Sequence, residues 1–336
     1  FVIAGSTAAP KSAKKKPKIP VSRVQTHMDG YLGDRIDACI RVRVCSEDPD
    51  LLVAPMRRQT ETSLWQSEFW GKWTLGAIAS YRYNKDPELL RKIEGGVESL
   101  LAAQQPDGYI GNYAPEAQLT NWDVWGRKYT MLGLLAYYDL TGDKKALDGA
   151  VRLADHLLTQ IPAVRQIERT GIYRGMSSCS ILEPIMLLYN RTLDEKYLDF
   201  ARYIVDRMES ADGPQLIAKA LDGVPVSERF PLDDPSRGWF VWENGQKAYE
   251  MMSCYDGLLE LYKVTNDPRY LKAVEATVTS IIADEINIAG SGSSFECFYK
   301  GKALQTEPAY HTMETCVTMT WMKLCYDLQI GRASCR

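Results

Sequence analysis

Hydrophobic and polar residues recur along this chain with the period of an α-helix. After Asp143, for example, Leu147, Val151, Ala154 and Leu158 are three or four residues apart, so one helix would carry them on one face. The same kind of spacing predicts ten helices, over residues 31–46, 65–83, 86–104, 122–140, 144–160, 176–191, 194–209, 244–263, 267–286 and 315–328. We therefore predict an all-α fold.

Four of the predicted helix pairs are joined by the same short turn. Each turn follows a Tyr and ends in an Asp, and these are Asp86, Asp143, Asp194 and Asp267. An Asp at this place can accept hydrogen bonds from the unpaired amides that open the next helix. The intervals of 57, 51 and 73 residues between them are too long and uneven for a short tandem solenoid. They favour helical hairpins arranged as a toroid.

A closed toroid of six hairpins, an (α/α)6 barrel, needs twelve helices, so ten would leave it about one hairpin short. The string CYDLQ near the end of the chain matches YYDLT around Tyr138, but I-G-R stands where T-G-D would continue the repeat. The last seven residues, IGRASCR, also correspond to a common sequencing adapter translated in one frame. We therefore expect residues 21–328 to be an incomplete (α/α)6 domain and residues 330–336 to be an adapter artefact.

The composition narrows the class of protein. A chain of 336 residues with 45% hydrophobic residues and a net charge of −3 is typical of a globular protein, and nothing in its charge indicates nucleic-acid binding. No apolar run reaches the roughly 18 residues that could span a bilayer. Residues 1–20 combine a short apolar run with a basic, Pro-containing linker, which is typical of a signal-peptide remnant. We therefore expect a periplasmic or secreted protein.

Trp residues cluster with charged residues at the starts of three predicted helices. The strings are LWQSEFWGKW, which contains Glu68, then NWDVWGRKY, which contains Asp123 and Tyr129, and GWFVWENGQKAY, which contains Lys247. Flat rings beside carboxylates suit a groove that stacks and hydrogen-bonds sugars. The alternative is structural, because Trp at a helix start can simply close the end of a helix bundle.

The stretch from residue 291 to residue 325 carries the residues with the clearest chemistry. It brings Glu296, in a Gly/Ser-rich loop, close to Glu314 and Cys316. Glu and Cys are both zinc ligands, and side chains two residues apart can face one ion where the backbone is extended. The alternative is a buried Cys beside a Glu that starts a helix.

Several strings of this chain together resemble one known family. WQSEFWGKW, QQPDGYIGNY, the Y-x-x-T-x-D turns, FECF and METC occur here in the order found in the β-L-arabinofuranosidase-type glycoside hydrolases, glycoside hydrolase family 127, the former DUF1680 group. The resemblance covers residues 21–328. It implies an (α/α)6 catalytic domain followed by β-sandwich domains. It also implies a retaining mechanism with a zinc ion held by one Glu and three Cys, one Cys acting as nucleophile.

The resemblance assigns roles to particular residues. Glu296 takes the acid/base position, with Glu307 as a nearby competitor, and Glu314 and Cys316 take two of the four zinc positions. The other two ligands, including the nucleophile, would be a Cys pair beyond residue 328, and no adjacent Cys pair occurs in this sequence. We therefore expect the chain as given to be inactive, although its parent would be an enzyme. A homodimer through the following domains is also conceivable.

The predicted substrate is an oligo- or polysaccharide of plant type, from which L-arabinofuranose or a related sugar is released. Glu68, Asp123, Tyr129 and Lys247 are the predicted substrate-binding residues. Lys247 stands where the family often has His, and an ammonium facing the pocket would favour an acidic sugar. Three alternatives remain: a sugar epimerase or isomerase, disfavoured because the chain has only three His, a lyase on the same scaffold, and a non-catalytic carbohydrate-binding toroid.

Overall fold

The structure is a computed structural model, and it describes residues 27–230, 246–288, 290–294, 296–304 and 314–333. The predictions for residues 1–20 and for Glu307 lie outside the described residues, as do Trp239 and Trp242. At the other end of the chain, the backbone of the last helix is described as far as Ala333.

The described helices form a toroid with an inner and an outer layer. The inner helices are α3 (Glu68–Asn84), α5 (Asp123–Thr141), α8 (Leu182–Thr192), α11 (Ala248–Thr265) and α14 (Thr315–Ala333). The outer helices that return from them are α4 (Pro87–Ala102), α6 (Lys144–Gln160), α9 (Glu195–Met208) and α12 (Pro268–Ser280). The inner helices α5 and α11 are buried over most of their length, whereas the outer helices bury one face. The predicted all-α toroid is confirmed.

The described chain also contains shorter elements. They are α1 (Gly30–Cys39), continued by a π-helical turn (Ile40–Val44), α2 (Pro49–Arg58), α7 (Met176–Cys179), α10 (Leu216–Leu221) and α13 (Gly301–Leu304). Two short strands, β1 (Gln246–Lys247) and β2 (Cys297–Phe298), pair antiparallel, with Gln246 opposite Phe298 and Lys247 opposite Cys297. This two-stranded ladder ties the start of α11 to a loop that is 49 residues further along the chain.

The predicted Asp turns are confirmed at all four places. In each, the Asp carboxylate accepts a hydrogen bond from the amide two residues on, namely Glu88 at 2.9 Å, Lys145 at 2.9 Å, Lys196 at 3.1 Å and Arg269 at 3.0 Å. The residue before each Asp is left-handed and ends the inner helix. Gly142 adopts this conformation without cost, and Leu193 adopts it with a φ of 56°.

The packed face of α6 is slightly rotated from the predicted one. Ala154 is fully buried as expected, whereas Leu147, Val151 and Leu158 lie at the edge of the buried face. The centre of that face is formed by Ala146, Ala150, Leu153 and Leu157. The small Ala residues allow α6 to approach the neighbouring helices closely, and the larger side chains at the edge fill the space around this contact.

The helices depart from the prediction in several places. Helix α2 was not predicted, because Pro55 interrupts its pattern, although Asp48 caps it and Pro49 opens it. The predicted helix 176–191 is broken between α7 and α8. The predicted helix 244–263 begins only at Ala248, because Gln246 and Lys247 belong to β1.

Helices α3 and α5 pack closely at a glycine. A Cβ atom on Gly71 would lie 2.1 Å from the carbonyl oxygen of Tyr129, so only Gly fits there. This contact brings the first turn of α3 against the first turns of α5.

Among the described residues, no helix is both long and apolar enough to cross a membrane, and the described Cys residues form no disulfide.

Candidate active site

A pocket lies where the N-terminal ends of the inner helices meet. Glu68 is the first residue of α3, Trp125 lies in the first turn of α5, Glu250 in that of α11, and Cys316 in that of α14. The pocket is lined by Trp65, Glu68, Lys72, Trp122, Trp125, Tyr249, Glu250, Glu296 and Cys316. Because helix N-termini carry a partial positive charge, several of them converging here favour carboxylates and developing negative charge.

An aromatic wall forms one side of the pocket. The ring centroids of Trp65 and Trp122 lie 6.2 Å apart, those of Trp122 and Trp125 5.9 Å, and those of Trp125 and Tyr249 5.1 Å, all edge to face. Such a wall offers ring faces to a flat apolar side of a sugar. The predicted Trp rim therefore exists in the described part of the chain, and Tyr249 extends it.

The Trp residues of the string WQSEFWGKW divide between pocket and core. Trp65 lines the pocket, but Trp70 is fully buried and its indole nitrogen donates to the carbonyl of Gly96 at 3.1 Å. Trp73 donates in the same way to the carbonyl of Val44 at 3.1 Å. The structural alternative therefore holds for these two residues.

Glu68 is held in the wall by an ion pair. Its carboxylate accepts hydrogen bonds from the indole nitrogen of Trp125 and, at 2.9 Å, from the ammonium of Lys72. Lys72 also lies 4.8 Å above the ring of Tyr249. Glu68 therefore lines the pocket, and its predicted contact with substrate stays a prediction, while Lys72 is a pocket residue that the sequence analysis did not single out.

Tyr129 supports the wall from behind. Its hydroxyl forms a hydrogen bond with the hydroxyl of Tyr249, and its ring is 5.4 Å from that of Trp125. Burial raises the pKa of Tyr129 well above its ordinary value. Tyr129 is not among the lining residues, so the predicted substrate contact is not observed.

Asp123 lies in the protein interior instead of facing the pocket. Its carboxylate accepts from the hydroxyl of Tyr109 at 2.8 Å, from the amide of Leu119 at 2.8 Å and from the guanidinium of Arg127 at 2.6 Å. Asp123 and Arg127 are both buried. Asp123, predicted to bind substrate, does not line the pocket, because its oxygens hold the loop that precedes α5.

Lys247 is also buried, and its ammonium is committed to Glu296. The Nζ atom of Lys247 lies 2.9 Å from Oε2 of Glu296, and the Lys side chain has no exposed surface. The predicted role of Lys247 as a cation that faces an acidic sugar is therefore not what the structure shows. Instead it fixes the carboxylate that lines the pocket.

The backbone around Glu296 is constrained from both sides. Its carbonyl accepts a hydrogen bond from the amide of Ala248 at 2.8 Å, and its φ of 63° is left-handed, which costs energy for any residue other than Gly. Beyond β2, the carboxylate of Glu285 accepts from the amides of Tyr299, Lys300 and Gly301 at 3.0 to 3.1 Å. The loop is thereby held in a shape that presents Glu296 to the pocket.

Glu296, Glu314 and Cys316 form a group that could hold a metal ion. One ligand atom from each lies within 4.8 Å of the others, and Sγ of Cys316 is 3.3 Å from Oε2 of Glu314. Burial, and then Glu296, raises the pKa of Glu314. Burial and Glu314 raise the pKa of the Cys316 thiol to about 12. A bound cation would relieve both effects, because carboxylate and thiolate are the forms that bind metal.

Three pocket residues were missed from the sequence. Lys72 and Tyr249 stand inside the Trp-containing strings, so proximity to those strings was a usable signal. Glu250 follows Tyr249 directly, but nothing distinguished it from other Glu residues of amphipathic helices.

A larger cavity of about 510 Å³ also lies against α3, and Lys72 lines it as well, but its one carboxylate, Glu47, is paired with Arg43 at 2.9 Å.

A helical toroid with acids, a thiol and an aromatic wall at one end is typical of a glycosidase. The chain matches the model of the β-L-arabinofuranosidase GH127 catalytic domain over residues 24–330. The chain therefore belongs to this family, as the resemblance predicted.

Comparisons with individual proteins agree with this family assignment. The chain is 26% identical over 162 residues to a non-reducing end β-L-arabinofuranosidase of Bifidobacterium longum subsp. longum, a match that covers 45% of this chain and 24% of that protein. The structure is similar to a GH127 β-L-arabinofuranosidase from Geobacillus stearothermophilus T6, with a TM-score of 0.61, 18% identity, and coverage of 91% and 53%. A second GH127 β-arabinofuranosidase gives a TM-score of 0.56 at 17% identity, with coverage of 90% and 50%.

The sequence given spans about half the length of the solved relatives, and its match spans about a quarter of the curated one. At this level of identity the solved structures support the fold alone.

Proposed function

We propose that this chain is part of a glycoside hydrolase that releases L-arabinofuranose from oligo- or polysaccharides, with Glu296 as the acid/base. The observation that carries the proposal is the position of the Glu296 carboxyl. It lines a pocket with an aromatic wall, and one of its oxygens lies within 4.8 Å of the possible metal-ligand atoms of Glu314 and Cys316. Family membership supports the same reaction class.

Glu296 would act twice in a retaining reaction. It first protonates the glycosidic oxygen as the bond to the sugar breaks, and it then takes a proton from the water that completes hydrolysis. Lys247 orients the carboxylate through its 2.9 Å contact. The constrained backbone of Glu296 keeps the side chain in place during both steps.

We infer that the metal is zinc and that Glu314 and Cys316 provide two of its ligands. Bound zinc keeps coordinating thiols in the thiolate form. The residues present fit such an ion, because a carboxyl and a thiol with raised pKa values lie side by side. The nucleophilic Cys implied by the family resemblance is not part of the sequence given, so this mechanism is a proposal for the protein with its remaining residues.

A neutral sugar suits the pocket better than an acidic one. The lining residues contain three carboxyl groups, Glu68, Glu250 and Glu296, and one ammonium, Lys72, which is paired with Glu68. Because Lys247 is paired with Glu296, no described cation stands ready for a sugar carboxylate. Comparing hydrolysis of an aryl β-L-arabinofuranoside with that of an aryl uronide tests this choice directly, and preference for the uronide would overturn it.

The role of Glu296 is tested with the protein expressed from its complete gene. We expect Glu296→Gln to lower kcat/KM for an arabinofuranosyl disaccharide by about 10²- to 10⁴-fold. The loss should be much smaller for an aryl glycoside with a good leaving group, because that departure needs no proton. Glu98→Gln, at an exposed position of α4, is the matched control. Equal losses on both substrates would contradict the acid/base role.

A non-catalytic carbohydrate-binding toroid is the second candidate, because the aromatic wall alone could bind glycans. Glycan binding without release of any sugar by the complete protein would favour it. A lyase would instead give an unsaturated product that absorbs in the ultraviolet, and an epimerase would give an isomeric sugar.

We also propose export to the periplasm or outside the cell, which rests on the composition of residues 1–20.

A further inference from the structure

Glu250 is a carboxyl of the pocket to which no role has been given. It is the third residue of α11 and lies within the first turn, three residues after the β1 strand ends. Its side chain is 3% exposed, and it lines the pocket with Glu68, Glu296 and Cys316. It is therefore an almost completely buried residue in the wall of the pocket.

One oxygen of Glu250 is left without a hydrogen bond. Among the described residues, the buried Oε2 atom has no partner. The other two pocket carboxyls differ, because Glu68 is paired with Lys72 and Trp125, and Glu296 is paired with Lys247. A buried oxygen without a partner costs stability. Such an unpaired buried oxygen is most readily retained in a protein where a ligand supplies the missing hydrogen bond.

The electrostatic surroundings allow Glu250 to accept or donate a hydrogen bond. Burial raises the pKa of Glu250 to about 7, Lys247 opposes this rise, and Glu296 and Glu68 add to it. The amino end of α11 favours the charged form. A carboxyl that is present in both forms near neutral pH suits a sugar hydroxyl, which is itself both donor and acceptor.

We propose that Glu250 is a specificity-determining residue whose Oε2 atom binds one hydroxyl group of the sugar that stacks on the aromatic wall. This inference rests on the proposed glycosidase function. A site built to hydrogen-bond a hydroxyl rejects the analogue that lacks it, because the buried carboxyl is then left unpaired. Glu250 would therefore select sugars by the presence of one hydroxyl, not by charge.

Deoxy substrates reveal the hydroxyl that Glu250 recognises. The complete protein and its Glu250→Gln variant are assayed on an aryl β-L-arabinofuranoside and on its 2-, 3- and 5-deoxy analogues. In each protein, discrimination is the ratio of kcat/KM for the parent arabinofuranoside to kcat/KM for a deoxy analogue. For one analogue this ratio should be about 10- to 100-fold smaller in the variant than in the unaltered protein, and for the other two analogues it should be the same in both proteins. Comparing the same substrates in both proteins cancels their intrinsic reactivities.

Stability measurements separate this role from a structural one. Glu250→Gln should leave the apparent Tm unchanged or raise it, because it removes a buried ionisable group of which one oxygen has no partner among the described residues. A residue that holds the fold together would lower the Tm instead. Glu98→Gln is the control, and it should change neither the Tm nor the discrimination among the deoxy sugars.

The outcomes distinguish this inference from the proposed function. If the unaltered protein hydrolyses arabinofuranosides but Glu250→Gln reduces all four substrates equally, the inference is wrong and the function stands. If no arabinofuranoside is hydrolysed, the function is wrong. The affinities of methyl glycosides of common pentoses and hexoses are then measured by calorimetry, and affinities that Glu250→Gln leaves unchanged overturn the inference as well.

Discussion

Asp123 and Glu250 are two buried carboxyls in the first turns of the inner helices α5 and α11, and they differ in their partners. Asp123 is surrounded by donors from Tyr109, Leu119 and Arg127. Glu250 lines the pocket and keeps one oxygen without a partner among the described residues. A buried acidic residue in the first turn of an inner helix is thus structural in one place and available to a ligand in the other.

A deeper cluster shows a third arrangement of acids on the same inner helices. Nζ of Lys323 lies 2.9 Å from Glu183, 2.9 Å from Asp256 and 3.1 Å from Asp327. Asp256 is about 9 Å further along α11 than Glu250, at 1.5 Å per residue. One ammonium bridges three carboxylates here, so this cluster resembles the surroundings of Asp123 more than those of Glu250. The Oδ1 atom of Asp256 also has no hydrogen-bond partner among the described residues, but its Oδ2 atom is held by Lys323, and Asp256 does not line the pocket.

The largest effect is expected in the pocket itself. Cys316→Ser in the complete protein should remove most of the proposed metal and lower kcat/KM by about 10³-fold, because a metal at this site would contribute several kcal/mol to the transition state. Metal content by mass spectrometry and hydrolysis of an aryl arabinofuranoside check both effects. Cys325→Ser on the same helix is the control. Full activity with full metal content in Cys316→Ser would show that the pocket does not use this ligand.

The next largest effect is expected at Asp123, and it concerns folding. Asp123→Asn should lower the free energy of unfolding by about 3 kcal/mol, because Arg127 is left buried without its counter-charge. Urea denaturation measures this change. If Asp123→Asn folds as stably as the unaltered protein but loses activity, then the contrast between Asp123 and Glu250 is wrong.

A smaller loss of stability is expected in the deeper cluster. Lys323→Met should lower the free energy of unfolding by about 1–3 kcal/mol, since Glu183 and Asp256 lose their shared cation. The value is below that for Asp123, because the Lys323 side chain is 42% exposed and water can replace part of it. Retained stability in Lys323→Met would show that the two Asp residues and Glu183 are solvated without it.

The smallest effect is a pH dependence that comes from Glu250. Its pKa is raised to about 7 in the folded protein, so between its ordinary value and 7 the folded state holds a proton that the unfolded state has lost. Its contribution to stability therefore falls as the pH rises through this window and is constant above it. The Tm difference between Glu250→Gln and the unaltered protein should grow from pH 5 to pH 7. A difference that is constant with pH would contradict the raised pKa.

Much of the fold was predictable because it depends on local interactions. The Asp turns, the helix repeats and the placement of Glu314 beside Cys316 involve residues two to four positions apart, where periodicity and capping rules apply. Helix α2 was missed because Pro55 interrupts its pattern, and the start of α11 was misplaced because β1 depends on a distant partner.

The functional roles of individual side chains depended on contacts over long sequence distances. Lys247 meets Glu296 across 49 residues, Trp125 meets Glu68 across 57, and Tyr129 meets Tyr249 across 120. No local pattern reports which of several acids will be surrounded by donors. For this reason Asp123 was predicted in the pocket and Glu250 was overlooked.

The sequence by itself determined the helical hairpins, the family and the Glu–Cys pair, because each follows from short-range spacing or from the order of motifs. Only the tertiary structure decided which Trp faces the pocket, that Lys247 serves Glu296, and that Glu250 keeps an oxygen for a ligand. The physical reason is that burial and hydrogen bonding are settled by the packing of inner helices against one another, and that packing joins residues far apart in the chain.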